Sequence, residues 1–133
     1  MHEKWDVLVA SSSMEIRRSL LRILEPLLLN VISCSALDQA KEVLSRQEVL
    51  LVFCDELLGD GSYRDLLLAN KVRRGQLRVV VTARTGEWDE YLEAMRLGAF
   101  DAIRFPLHPT DIELVVLRAA RESREAIAHR MTA

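Results

Sequence analysis

Glycine, proline, cysteine and aromatic residues are all scarce in this chain of 133 residues. It holds 5 Gly, 3 Pro and 2 Cys, and only 5% of its residues are Phe, Trp or Tyr. Cys34 and Cys54 lack CxxC spacing and are too few for a disulfide framework, so they read as buried, reduced thiols. His2, His108 and His129 lie far apart without metal-ligand spacing. Gly59, Gly61 and Gly86 form neither a GxGxxG turn nor a P-loop, which argues against nucleotide binding by those routes. A basic surplus is also missing. Lys+Arg is 18 against 20 Asp+Glu, a net charge of −2, and such a domain is not built to neutralise nucleic-acid phosphates. No apolar run reaches the roughly 18 residues of a membrane span, and the run after Asp6 is too short for a signal peptide. The expectation is a cytoplasmic protein with no nucleic-acid or membrane partner. Internal repeats, low-complexity stretches and interdomain linkers are absent as well.

What is present is apolar residues, half of the chain, enough for one domain with its own core. Val7-Leu8-Val9-Ala10 reads as a strand buried on both faces, and any of Ser11, Ser12 and Ser13 can cap the helix after it. Ile16, Leu20, Ile23, Leu24 and Leu27 recur at helical spacing until Pro26 ends or kinks the helix. Val31–Cys34 is a second strand, Ser35 is a candidate cap, and Leu37, Ala40 and Leu44 form the next helical stripe. Val49–Cys54 is the strongest strand signal and stops at Asp55-Glu56, with a helix near 62–73 beyond a loop. Leu77–Val81 makes a fourth strand ending at Thr82. Trp88, Tyr91, Leu92 and Met95 define one helix face, expected to be core, and Gly98 fits its C-cap. Phe100–Phe105 is a fifth strand stopped by Pro106, and Pro109 opens a last helix facing inward with Ile112, Val115, Val116 and Ala119. Past Ala120 the chain mixes charges of both signs, with Arg118/Glu122 and Arg121/Glu125 spaced as i, i+4 pairs. Residues 1–120 read as one domain and 121–133 as an extended C-terminal helix or tail.

Five βα units with apolar strands predict an α/β fold: a single doubly wound parallel sheet of five strands, covered on both faces. Right-handed crossovers put every strand's C-terminal end on one edge, where ligands bind in open sheets. That edge carries Ser11, Ser12, Asp55, Thr82 and Phe105. Asp55 and Glu56 are adjacent, and neighbouring strand residues point to opposite faces, which argues against their sharing a metal.

Four segments, VLVASSSMEIRR (7–18), LVFCDELLGDG (51–61), VVVTA (79–83) and LGAFDAIRFP (97–106), resemble the receiver domains of bacterial response regulators, the CheY-like family. The resemblance covers residues 6 to about 120 and implies strand order 2-1-3-4-5. It also implies a two-component phosphorelay, in which a histidine kinase donates a phosphoryl group to a carboxylate after the third strand. Asp55 matches that phosphoacceptor, and Thr82 matches the residue that hydrogen-bonds the phosphoryl oxygen. The family's acidic pair, which holds Mg²⁺, falls on Ser11 and Ser12. Its lysine falls on Phe105, and its aromatic switch on Ala102.

Charge arithmetic weighs these departures. A family-type site balances about −3 from carboxylates with +2 from Mg²⁺ and +1 from lysine. Here Asp55 alone supplies −1, and an acyl phosphate there would carry about −2 with little compensation. Arg84 and Arg104 are the candidate substitute cations, with Arg84 favoured because Arg104 alternates to the face opposite Phe105. Phe105 is expected to lie over Asp55 and exclude water. The leading reading is therefore a degenerate receiver (pseudo-receiver), with no cofactor and no enzyme activity beyond phosphoryl exchange at Asp55. It would contact a histidine kinase or output protein through residues 87–120, with homodimerisation possible. The alternative is an active, Mg²⁺-dependent phosphoacceptor. A third reading, a small-molecule binder, rests only on the serines at a helix N-terminus.

Overall fold

The computed structural model describes residues 5–72, 77–84 and 88–132, so His2, Gly86 and Ala133 lie outside the described residues. Five parallel strands alternate with five helices. The strands are β1 (Asp6–Ala10), β2 (Asn30–Cys34), β3 (Leu51–Asp55), β4 (Val79–Ala83) and β5 (Asp101–Arg104). The helices are α1 (Met14–Leu24), α2 (Leu37–Arg46), α3 (Tyr63–Val72), α4 (Trp88–Arg96) and α5 (Pro109–Thr132). The strand order is β2-β1-β3-β4-β5, the expected doubly wound arrangement. A two-residue ribbon, Leu57–Leu58 against Gly61–Ser62, follows β3. Strands β3 and β4 sit up to two residues later than the apolar runs suggested, because pairing of Asp55 with Thr82 carries the ladder into the polar ends.

Strand alternation sorts the core into two layers. Val7, Val9, Leu51, Phe53, Val80 and Ile103 face α1 and α5, where Ile16, Leu20, Leu24, Ile112, Val115 and Ala119 meet them. Leu8, Ala10, Val52, Cys54, Val79 and Val81 face the other side, with Leu37, Ala40, Leu66, Leu67 and Ala94. Extending the first series past each strand's apolar stretch reaches Ser11, Asp55 and Thr82. The same parity that builds the core thus gathers the polar residues.

Helix starts are capped in three ways. Ser13 caps α1, accepting from the Ile16 N–H at 3.2 Å. Ser35 does not cap α2, contrary to expectation. The N-cap is Ala36, whose side chain has no acceptor. The carboxylate of Asp60, from the ribbon turn, takes its place, accepting from Leu37 N–H (2.8 Å) and Asp38 N–H (3.0 Å). Asp65 accepts the Ser62 N–H at 2.9 Å and fixes the entry to α3. Gly61 sits between these two carboxylates at φ +153, and a Cβ there would stand 2.5 Å from Leu37 Cδ2 and 2.6 Å from Asp65 Oδ2.

The expected inward face of α4 is also corrected. Ala94 is buried and Tyr91 half-buried, whereas Leu92 and Met95 are exposed. A small residue at the contact lets a short helix lie close to the sheet, so its larger apolar residues turn outward. On α5, Arg118 pairs with Asp101 and Glu122 with Arg78, so tertiary ion pairs engage the charges that the i, i+4 reading had paired along the helix.

Candidate functional site

Ser11, Asp55 and Thr82 meet at the C-terminal edge of the sheet, on the α1/α5 face. All three are buried, at 1%, 7% and 3% exposure. Ser11 Oγ donates to Asp55 Oδ2 at 2.8 Å, and the Ser12 N–H reaches the same oxygen at 3.2 Å. Thr82 Oγ1 donates to Oδ1 at 2.9 Å. Ser11 Oγ also accepts the Ser13 N–H at 3.1 Å. Both carboxylate oxygens are therefore supplied with donors, and the start of α1 points its first free N–H groups at the charge.

This donor set does not fit Mg²⁺. The ion favours near-octahedral oxygen coordination with anionic ligands. Asp55 is the single carboxylate of the cluster, and its oxygens already accept from two hydroxyls and an amide. Among the described residues, no group of three His, Cys, Asp or Glu is arranged to hold a metal ion.

Arg84 lies exposed just after β4, and no ion pair among the described residues joins it to Asp55. Arg104 is exposed on the opposite face of the sheet, lining a groove toward α4. Arg17 is the cation that sequence reading missed. Its Nη1 donates to the Ser11 carbonyl at 2.5 Å, one residue's backbone away from the hydroxyl on Asp55. The signal was available: a long side chain one turn into a helix leans back toward the helix N-terminus. Arg17 also helps to counter the rise that burial imposes on the half-buried Cys34 thiol. Cys54, deeper under β3, is pushed up to about 12, first by burial and then by the Asp55 charge.

Phe105 follows Ile103 onto the α1/α5 face and packs, half-buried, against its core cluster, and its N–H bonds the Ala83 carbonyl at 3.0 Å. The Phe105–Pro106 peptide is cis. Ala102 points to the other face, into a groove of about 810 Å³ between α4, β5 and α5. Glu56 lines that groove too, so it diverges from Asp55. The Arg64–Glu93 and Arg118–Asp101 pairs (2.8 and 3.2 Å) stand at its rim.

Comparison with known proteins fits this arrangement. No family model matches the chain. It is 29% identical over 112 residues to the alginate biosynthesis transcriptional regulatory protein AlgB of Pseudomonas aeruginosa, a match covering 84% of this chain and 25% of that protein. It is 29% identical over 114 residues to the response regulator protein PilR of the same organism, covering 86% and 26%. The chain thus spans about a quarter of the length of these curated relatives. The crystal structure of a response regulator receiver domain from Clostridium thermocellum superposes with TM-score 0.83, at 20% identity, over 92% of this chain and 98% of that one. NtrX from Brucella abortus superposes with TM-score 0.81, at 27% identity, over 96% and 29%. The chain has the CheY-like receiver fold. Within that fold, Asp55 and Thr82 stand in hydrogen-bond contact at the sheet edge, where the sequence resemblance put the phosphoacceptor and its hydrogen-bond partner. The same resemblance puts the acidic pair, the lysine and the aromatic switch on Ser11-Ser12, Phe105 and Ala102. No helix among the described residues is long and apolar enough to cross a membrane.

Proposed function

We propose that this receiver is a degenerate one, working through protein–protein contact with a conformation set in advance instead of by Mg²⁺-dependent phosphorylation. One observation carries the reading: both oxygens of the Asp55 carboxylate accept hydrogen bonds, from Ser11, Ser12 and Thr82, with no second carboxylate in the cluster. A phosphoryl group on Asp55 would displace these donors and take the buried site from −1 to about −2. Arg17, already committed to the Ser11 carbonyl, is the nearest compensation. Phosphoryl transfer depends on electrostatic stabilisation of the transferring oxygens, chiefly by metal. Thr82 already rests on Asp55, and Ala102 supplies no aromatic ring to report a change there. The partner surface is the groove between α4, β5 and α5, within residues 87–120, where Leu114 is exposed. Its occupant is a histidine kinase or an output protein.

Intact mass after incubation with acetyl phosphate, with and without Mg²⁺, tests this. The unmodified mass is expected under both conditions. The variant S11D/S12D/F105K, which restores the acidic pair and the lysine, is expected to gain a Mg²⁺-dependent adduct. The contact between Thr82 and Asp55 favours the second reading, an active phosphoacceptor helped by Arg84 or Arg17. An adduct on the wild-type protein, abolished by Asp55→Asn, would establish it.

A further inference from the structure

A second groove, of about 540 Å³, runs along the outer side of α5 beside the 3₁₀ turn (Glu25–Leu27) that follows α1. Leu27, Leu29, Val116, Leu117 and Ala120 supply its apolar lining together with Trp5, over whose ring the Arg124 guanidinium stands at 5.2 Å. Two leucines here carry costs without a return inside the monomer. Leu117 is 62% exposed in the middle of α5. Leu28, between two lining residues, is 71% exposed and holds φ 59, a left-handed conformation that glycine or asparagine adopts more cheaply. A bulky apolar side chain in that backbone state, turned to solvent, points to a surface that something covers.

The charges on α5 say what covers it. Glu113 stands four residues before Leu117, and Arg124 stands four residues after Ala120. With Leu117 and Ala120 three apart, these residues form one stripe at i, i+4, i+7 and i+11. Reversing the helix direction exchanges Glu113 with Arg124 and Leu117 with Ala120. The stripe is therefore complementary to itself in antiparallel orientation, as a two-fold interface requires.

We infer that this face binds a second copy of the chain, α5 against α5 and antiparallel. Leu117 of each copy enters the other's groove at Ala120, Glu113 of each faces the partner's Arg124, and Leu28 closes the side. This surface is separate from the groove proposed for signalling partners and stands whether or not Asp55 is phosphorylated.

Sedimentation velocity of the whole chain across micromolar to high-micromolar concentration, paired with thermal melting, tests the inference. A reversible dimer is expected for the wild type. Leu117→Arg is expected to leave monomer with an unchanged melting temperature. L28G is expected to weaken the dimer without lowering the melting temperature, because glycine relieves the left-handed backbone; a purely structural leucine would give the opposite. E113R or R124E alone removes both symmetry-related ion pairs and is expected to weaken association about tenfold. The double swap E113R/R124E restores opposite charges across the interface and is expected to recover most of the loss. A wild type monomeric throughout, including one that binds only a different protein on this face, would overturn the inference. So would a double swap no stronger than its single parents.

Discussion

The two faces of the sheet end differently. On the α1/α5 face the strand tips close on themselves: Ser11, Asp55 and Thr82 satisfy one another, buried, with the start of α1 laid against the charge. On the α4 face the tips open into a groove lined by Ala83, Ala94 and Ala102, rimmed by ion pairs and bordered by exposed Leu114. The first region spends its polar groups internally and keeps none for a ligand. The second leaves apolar surface and charge unspent. Chemistry needs the first region open, whereas recognition needs only the second, and it is on this contrast that the proposed function rests.

The contrast breaks most sharply at Asp55. Asp55→Ala strands three buried donors and is expected to lower folding stability by about 1–3 kcal/mol in chemical denaturation. In a site crowded with carboxylates the same change relieves repulsion and raises stability, so the sign of the effect separates a closed network from a metal cradle. Thr82→Val keeps the shape and removes one donor, for an expected loss of about 1 kcal/mol in the same experiment. A stabilised Thr82→Val variant would mean that the contact with Asp55 is not favourable.

Asp60 gives a smaller effect with a defined pH window. The N–H groups of Leu37 and Asp38 hold its carboxyl below the ordinary value of 3.8, so the folded protein binds this proton less readily than the unfolded chain. Its contribution is complete above 3.8 and is lost as the pH falls through the folded value. Asp60→Asn is expected to melt lower than the wild type at pH 6 and to converge with it toward pH 3. A constant difference across that range would remove the carboxylate from the explanation. The smallest effect is expected at Ala102, where Ala102→Tyr projects into the open groove and shifts stability by less than about 0.5 kcal/mol. A loss of several times that would show that the groove's floor is packed core.

Apolar runs and their punctuation were enough to read five βα units and the edge where Ser11, Asp55 and Thr82 converge, while the sheet order came from the family resemblance. Those features follow from local periodicity and from a parity rule that extends each buried strand by one polar residue. The rest depended on contacts between distant segments. Ser35 looked like the cap of α2 because serine before a helix usually is, and the carboxylate that does the work lies 23 residues from the amide it caps. The α4 stripe looked like core because large apolar residues at helical spacing usually are, but Ala94 sets the approach to the sheet. Arg17 was passed over for Arg84 and Arg104, since closeness to Thr82 and Phe105 in sequence is a poor guide to which guanidinium reaches an edge built from five strands.

Gly61 leaves the receiver with a point of unusual economy. One hydrogen atom occupies the space where Leu37 and Asp65 approach from opposite sides, so the beginnings of two separate helices are kept in register by the smallness of a third residue. Any side chain at that position would push on Leu37 and Asp65, and so on the starts of both helices at once.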